Sequence, residues 1–408
     1  MTEHIATGGR SVPACPANVD PLVRSEQTFA PKVILNDCTL REGEQASEVN
    51  LSLDDRLRIA EALVEAGIPQ IQAGYPGRSM IDFRTISEIK RRFPGCVVES
   101  VAQAFQQDWK EQIDRAIDCG ADWIDLMYPV SDERLNLVQR VSREQMLERS
   151  VEAVAYACER TGNVRFAPTD SGRTDLDFLD TVYKAVVRAG AKRITVADTV
   201  GGLHPRAVAL IVRRAVEVSG VPVQAHFHDD FGLALANSVA AAEAGATILD
   251  GTVMGIGERS GNTPLEELAS ALTLLYGIGT GVRLEALCGL AKLVGELSNV
   301  TVPKHKAIVG SHAFSHKLEA HVMGVEINPS VYEPVPPETF GNVRHIELGR
   351  ASGPHGVKGR LRQVGIQLED ADVIDALVKE VRRTAENQRH SVTDQQLLEL
   401  LEKARAAK

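Results

Sequence analysis

The 408-residue chain lacks several features that would place it in a familiar class. No stretch approaches the ~18 uninterrupted apolar residues that a membrane helix needs. The first residues, MTEHIATGGRSVPACPANVDPL, have no basic start followed by an apolar run, which argues against a secretory signal. No basic tract stands out in a chain of net charge −10, so there is no electrostatic footprint for nucleic acid. Anionic small molecules need only a local cluster of Arg and Lys and are not excluded. The six cysteines, Cys15, Cys38, Cys96, Cys119, Cys158 and Cys288, form no CxxC pair or framework spacing. They read as reduced thiols of a cytoplasmic protein.

What is present is a rhythm. Residues 1–30 show little periodicity and read as a flexible N-terminal extension. From Val33 onward, short β-branched runs alternate with longer amphipathic segments. Strands are predicted at Lys32–Asn36, Gln70–Ala73, Val97–Val101, Trp123–Met127, Val164–Ala167, Arg193–Ala197, Val223–Phe227 and Ile248–Val253. Helical segments such as Leu53–Ala66, Leu176–Ala189, Ala207–Val218 and Leu235–Ala244 each run up to a glycine, the expected C-cap. Eight such units predict an α/β fold, a (β/α)8 TIM barrel over residues 31–280. An open doubly wound sheet is the alternative, and the absence of a Gly-rich dinucleotide loop after the first strand weakens it. Residues 281–408 are predicted as a mostly helical accessory region. It holds helices at 283–300, Asp370–Glu386 and Thr393–Ala406, with loop-rich chain over 301–358.

Chemistry-bearing residues gather at predicted strand ends. His226-Phe227-His228 closes an apolar strand, where residues i and i+2 face one side, so both imidazoles can meet one divalent ion. Asp229-Asp230 follow and could brace ring N–H groups or waters. An HxH alone is equally compatible with two hydrogen-bonded mouth histidines. The segment Asp37–Gln45 (DCTLREGEQ) follows the first strand. It offers an arginine able to grip a carboxylate in bidentate fashion beside acidic groups, or it is a solvated loop. Gly255–Pro264 after the eighth strand brings an Asn and a Glu-Arg pair to the same end, or is a turn into the next helix. Barrel active sites are built at this C-terminal mouth.

Taken together, "DCTLREGEQ", "HFHDDFGLALANS" and "GIGERSGNTPLEEL" resemble three signatures of the homocitrate synthase / isopropylmalate synthase family, within the DRE-TIM metallolyase superfamily. The similarity runs from about residue 32 to about 360. It implies a metal-dependent Claisen condensation of acetyl-CoA with a 2-oxo acid that releases CoA. The implied ion is divalent (Mg, Mn or Zn). By resemblance, Glu42, His226, His228 and Asn262 are metal ligands, Arg41 steadies the ketone or enolate oxygen, and Asp37 and Gln45 brace the loop, with Gln45 also near the substrate. Thr199 matches a threonine that binds the substrate carboxylate. Arg165 matches an arginine that homocitrate synthases use for the distal carboxylate of 2-oxoglutarate, which favours an acidic distal group. An isopropylmalate-synthase-like or phosphono-oxo-acid-using acyltransferase is the alternative.

The segment "SHAFSHKLEAHVMGVEINPSVYEPVPPETFG" is similar to the family's accessory subdomain. His321 and Tyr332 fall where the family has proton-transfer residues that cross into a partner's barrel, which implies a homodimer with exchanged C-terminal subdomains. Two departures stand out. Thr169 occupies the place of a family Glu in the segment after the fifth strand, and Thr cannot act as a general base near neutral pH. A long leucine-type regulatory domain has no room before residue 408. A metal-dependent lyase running the reverse C–C cleavage is a competing reading. The CoA lyases carry a Cys in the glycine loop, where Gly257–Gly261 has none. A degenerate homologue that only binds metal is the third reading.

Overall fold

The computed structural model describes residues 5–7, 10–12, 15–25, 27, 29, 30 and 32–406. Eight parallel strands close into a barrel: β1 Ile34–Asp37, β2 Gln70–Gln72, β3 Val97–Gln103, β4 Trp123–Pro129, β5 Val164–Thr169, β6 Arg193–Asp198, β7 Val223–Phe227 and β8 Ile248–Gly251. Closure is made by β8, which pairs with β7 (Leu249 opposite Ala225) and with β1 (Asp250 opposite Asn36). Each predicted strand exists, with ends within a few residues of those expected.

The helices between strands are α1 Leu53–Glu65, α2 Met80–Arg92, α3 Trp109–Asp118, α4 Arg143–Cys158, α5 Leu176–Arg188, α6 Pro205–Ser219, α7 Ala234–Glu243 and α8 Leu265–Leu274, followed by α9 Leu287–Ser298. Their starts are written locally. Ser52 accepts from the Asp55 N–H while Asp55 accepts from the Ser52 N–H, a capping box that fixes the first turn of α1. Pro205 opens α6, where a missing N–H costs nothing, and Gly220 ends it at φ +65°. Most of these helices bury large apolar side chains on one face, as Leu57, Ile59 and Leu63 do in α1, whereas α7 buries mainly alanines. Each large side chain so buried contributes about 1.5–3 kcal/mol relative to exposure.

The chain divides into two compact units, one running to Val302 and the other comprising Pro303 onward together with a short N-terminal stretch that the first unit lacks. The division falls later than the expected boundary at 280, because α9 buries Leu287, Leu290, Ala291 and Val294 within the barrel unit. The described part of the first thirty residues holds a two-stranded sheet (Ile5–Thr7 with Arg10–Val12) and a helical turn at Pro21–Ser25.

The second unit contains α10 Glu319–Ile327, α11 Pro354–Gln363, α12 Ala371–Glu386 and α13 Asp394–Ala406. Its core joins Val357 and Leu361 of α11, Leu377 and Val381 of α12, and Leu397 and Leu401 of α13. Helices α10 and α11 correct the expectation of loop-rich chain over 301–358. Glycines at 349, 353, 356 and 359 mask the α11 pattern, and its helix is held by the buried Val357 and Leu361 rather than by propensity. All six cysteines are free. No helix among the described residues is long and apolar enough to cross a membrane.

Candidate metal centre

The loop after β1 folds back on itself. The Cys38 carbonyl accepts N–H groups from Arg41 (3.0 Å), Glu42 (2.7 Å) and Gly43 (3.3 Å), a tight turn that brings residues 41 and 42 over the barrel. Asp37 anchors the turn, accepting the Thr39 N–H at 2.9 Å and the Thr39 hydroxyl at 2.8 Å. That same hydroxyl accepts the Val253 N–H at 2.9 Å, tying the first loop to the eighth.

At the end of β7, His226 and His228 lie two residues apart with rings 5.3 Å between centroids and nearly perpendicular. Glu42 meets both: Oε2 is 3.9 Å from His226 Nε2, and Oε1 is 3.6 Å from His228 Nε2. One ligand atom from each of the three residues can be chosen so that all lie within 4.8 Å of one another, and all three residues are buried. Asn262 joins them through an antiparallel bridge to His228. Its Nδ2 lies 3.4 Å from His226 Nε2 and donates to the Phe227 carbonyl at 3.2 Å. Gly257 makes room for it, since a Cβ there would lie 2.0 Å from Asn262 Oδ1.

The donor chemistry suits a divalent cation. Burial, then the neighbouring His226, Arg259 and Arg41 charges, push the His228 imidazole down to about 3, so it is neutral and able to ligate at physiological pH. Asn262 Oδ1 and His228 Nδ1 are buried without a hydrogen-bond partner. A buried acceptor left unpaired costs about 1–3 kcal/mol unless something fills it. His226 Nδ1 faces Asp250 Oδ2 at 3.0 Å, which leaves Nε2 for an ion. A second group of potential ligands, Cys38, His226 and Asp250, shares His226. It suits a metal poorly, because burial pushes the Cys38 thiol well above its ordinary range and a thiol is a weak ligand.

Arg41 completes the centre. It is ion-paired with Glu42, and its Nε donates to Gln72 Oε1 at 2.6 Å. Gln45 sits beside it, its amide 3.5 Å from the Arg41 carbonyl, and both line a depression of about 340 Å³ with Tyr75 and Asn50. Thr199 follows β6 at the same end of the barrel. Its hydroxyl accepts the Asp170 N–H at 2.8 Å, and its carbonyl accepts from Arg259 at 2.9 Å. Arg259 also grips Asp230 through two 2.8 Å bonds, so the loops after β6, β7 and β8 are cross-linked. Thr169, at the end of β5, is buried with its hydroxyl unpaired.

Three expected residues stand elsewhere. His321 and Tyr332 belong to the second unit, where their rings stack 4.0 Å apart at 20°. Arg165 departs from the expectation of a guanidinium free for a substrate carboxylate. It lies inside the barrel, 2% exposed, bound to Glu99 Oε2 at 2.8 Å and Asp125 Oδ2 at 2.6 Å. Its charge is already matched.

Sequence reasoning missed the polar floor beneath the site. Asp250 holds His226, and in turn accepts from Asn36 at 2.7 Å and Gln224 at 2.5 Å. Gln72, Glu99, Asp125 and Arg193 share this layer, with Arg193 bonded to Glu99 at 2.7 Å and stacked on Trp123 at 3.9 Å. The available signal was charged and amide residues inside otherwise apolar strands, where a barrel normally packs Val, Ile and Leu.

Comparisons with known proteins identify the family. Residues 32–294 match the HMGL-like family model, and residues 308–389 match the homocitrate synthase post-HMGL domain-like model. A 2-isopropylmalate synthase from Sulfolobus acidocaldarius is 42% identical over 357 residues, covering 87% of this chain and 91% of that protein. A homocitrate synthase from Methanopyrus kandleri is 38% identical, covering 93% of this chain and 95% of the relative. Among solved structures, a hydroxymethylglutaryl-CoA lyase from Pseudomonas aeruginosa aligns with TM-score 0.57 at 22% identity, over 67% of this chain and 96% of the other. That likeness concerns the fold.

Proposed function

The chain belongs to the HMGL-like family, and from that premise we propose that it condenses acetyl-CoA with a 2-oxo acid and releases CoA, as an acyltransferase of the kind its synthase-named relatives represent. The observation that carries the reading is the convergence of Glu42, His226 and His228 at the barrel mouth beside Arg41. A divalent ion bound there supplies Lewis acidity to the oxo-acid carbonyl. Glu42 and the two imidazoles would hold that ion, with Asn262 Oδ1 as a further oxygen.

The protein's own groups do the rest. The Arg41 guanidinium stabilises negative charge that grows on the ketone oxygen as a carbon nucleophile adds. The Thr199 hydroxyl accepts from Asp170 and keeps its own proton to donate to the substrate carboxylate. Removal of the acetyl methyl proton is assigned to His321, with Tyr332 stacked against it, because Thr169 has no basic group at the family's Glu position. The new C–C bond is followed by attack of water on the thioester, which breaks the C–S bond and frees the CoA thiol. The roles of His321 and Tyr332, and a homodimer with exchanged C-terminal regions, rest on the resemblance of residues 311–341 to the family's accessory subdomain.

The reading concerns the oxo-acid head. The ground for an acidic distal group was Arg165, and its guanidinium is held by Glu99 and Asp125. The test therefore uses metal-loaded protein, acetyl-CoA and a panel of 2-oxo acids: 2-oxoglutarate, oxaloacetate, pyruvate, a phosphono-oxo acid and a branched one. Free thiol is followed with a thiol reagent. CoA release that needs both the ion and one of these acids is expected. Absence of release across the whole panel refutes the proposal, and sedimentation at several concentrations checks the dimer.

A further inference from the structure

We propose that Arg165 and Gln72 are positioning residues that fix Arg41 from inside the barrel, and that Arg165 is not a contact for the substrate's distal group. This inference deepens the condensation reading and rests on it. The two carboxylates that flank Arg165 turn it away from substrate. Arg165 gives Nη1 to Glu99 Oε2 at 2.8 Å and Nη2 to Asp125 Oδ2 at 2.6 Å, with both carboxylates fully buried. An uncompensated carboxylate in such a place costs several kcal/mol. Withdrawing the guanidinium to bind a ligand would take from Asp125 its ion pair, and would leave Glu99 with Arg193 as its ion-pair partner.

The same two carboxylates orient Gln72. Its amide nitrogen donates to Asp125 Oδ2 at 3.0 Å and to Glu99 Oε2 at 3.3 Å. With the nitrogen so placed, the amide oxygen must face the other way, and it receives Arg41 Nε at 2.6 Å. An unheld Gln72 could flip and present an N–H to the Arg41 N–H, a repulsive pairing. Arg165 thus decides, through two carboxylates and one amide, that Arg41 meets an acceptor. Arg41 Nη1 is then aimed at Glu42.

The chain of contacts also returns to the metal centre by a second route. Glu99 Oε2 accepts from Asn36 at 3.3 Å, Asn36 donates to Asp250 at 2.7 Å, and Asp250 holds His226. The buried floor is therefore one connected network that touches both Arg41 and a proposed ligand. Such networks rigidify in proportion to how fully their members are satisfied; here each side chain is held by at least one partner, while Asn36 Oδ1, Asp125 Oδ1, Arg165 Nε and Arg193 Nε have none.

The experiment compares Gln72→Met, which keeps the Arg165 ion pairs, with Arg165→Lys, which keeps the charge but loses the planar fork. Calorimetric binding of each acid of the panel to Mn²⁺-loaded full-length protein is measured beside kcat and KM. Loss of one charge-assisted hydrogen bond predicts a drop of about ten- to a hundredfold. In both variants that drop is expected to be the same for diacids and for branched acids, to fall on kcat, and not to add in the double variant. A loss in Arg165→Lys confined to diacids and expressed in KM overturns the proposal, as does a Gln72→Met protein with parental kcat. If Arg165→Lys does not fold, Gln72→Met decides alone. If the parent binds and turns over no 2-oxo acid, the condensation reading fails. The positioning role is then judged by crystal structures of Gln72→Met, in which Arg41 must leave its parental rotamer for the role to stand.

Discussion

Changing Asp250 to Asn isolates the contribution of one hydrogen bond to the metal centre. Asp250 Oδ1 accepts from Asn36 Nδ2 at 2.7 Å and Gln224 Nε2 at 2.5 Å, and Oδ2 faces His226 Nδ1 at 3.0 Å. Although burial opposes it, the His226 hydrogen bond and the Arg165 charge hold this carboxyl below the usual carboxylate range, so it is an acceptor throughout. An Asn at 250 has one acceptor to offer, and two donors already claim it. Its NH₂ is left facing His226 Nδ1, which must then become the acceptor. The ring proton moves to Nε2, the atom that looks toward Glu42 and Asn262. A protonated Nε2 cannot ligate. Restoring the ligating tautomer means setting N–H against N–H or flipping the amide away from both its donors. Partners of this type affect metal affinity by about 10–100-fold, or about 1.4–2.7 kcal/mol. Titration of the metal-free protein with Mn²⁺, read by electron paramagnetic resonance, gives the dissociation constant, and a thermal melt verifies folding. A folded Asp250→Asn protein whose constant stays within about twofold of the parent refutes the tautomer reasoning. Glu42→Gln discriminates the alternative Cys38–His226–Asp250 group, because an ion held there would survive the loss of Glu42.

Three further perturbations separate the parts of the site. Gly257 does not have a left-handed backbone, so Gly257→Ala acts only through its Cβ, 2.0 Å from Asn262 Oδ1. It is expected to weaken Mn²⁺ binding about tenfold in a normally folded protein, and unchanged affinity would remove Asn262 from the ligand set. Burial pushes the Asp37 carboxyl up to about 7 from its ordinary 3.8, against the Thr39 hydrogen bonds that lower it. The native state then binds the extra proton, and the stability it contributes falls as pH rises from about 4 to about 7. The gap corresponds to about 4 kcal/mol, so urea melts should show Asp37→Asn gaining on the parent by that order between pH 4 and 8, and a pH-independent difference counts against the buried titration. Thr169 has a buried hydroxyl with no partner, so Thr169→Val is expected to add about 1 kcal/mol in a urea melt. A clear destabilisation would mean that the hydroxyl is engaged.

Much of the barrel was legible because its signals are local. Alternation of β-branched runs with 3.6-residue patterns placed all eight strands, and the glycines after α1, α5, α6 and α7 all adopt positive φ. The pair His226 and His228 was legible for a similar reason, since a period of two in a strand puts both on one face. Glu42 was reachable because a segment following a barrel strand must lie at the mouth. Helix α11 was not legible. Its glycines lower the local preference for helix, although Pro354 suits the first position, and the element exists because Val357 and Leu361 find a core supplied by α12 and α13.

The interior of the barrel shows a deeper limit, and Arg165 is the instructive residue. In sequence it is an arginine that the family resemblance assigns to a diacid's distal carboxylate, and no periodicity says which partner its guanidinium meets. The deciding facts are contacts between nearby strands, to Glu99 on β3 and to Asp125 on β4, opposite Arg165 in the sheet, 66 and 40 residues away in the chain. Either carboxylate alone could be read as a solvated charge at a strand end. Only the side-by-side pairing of β3, β4 and β5 brings them within 3 Å of the same guanidinium, where each satisfies the other's desolvation. Charge in a strand whose neighbours are all apolar therefore has two readings, a ligand contact or half of a buried pair. The second requires an opposite charge at an inward position of a nearby strand. Glu99, Asp125, Arg165 and Arg193 meet that condition on four successive strands, β3 to β6. The signs of these four balance two to two, which offsets the cost of burying them, and the floor's remaining carboxylate, Asp250, is held by Asn36, Gln224 and His226.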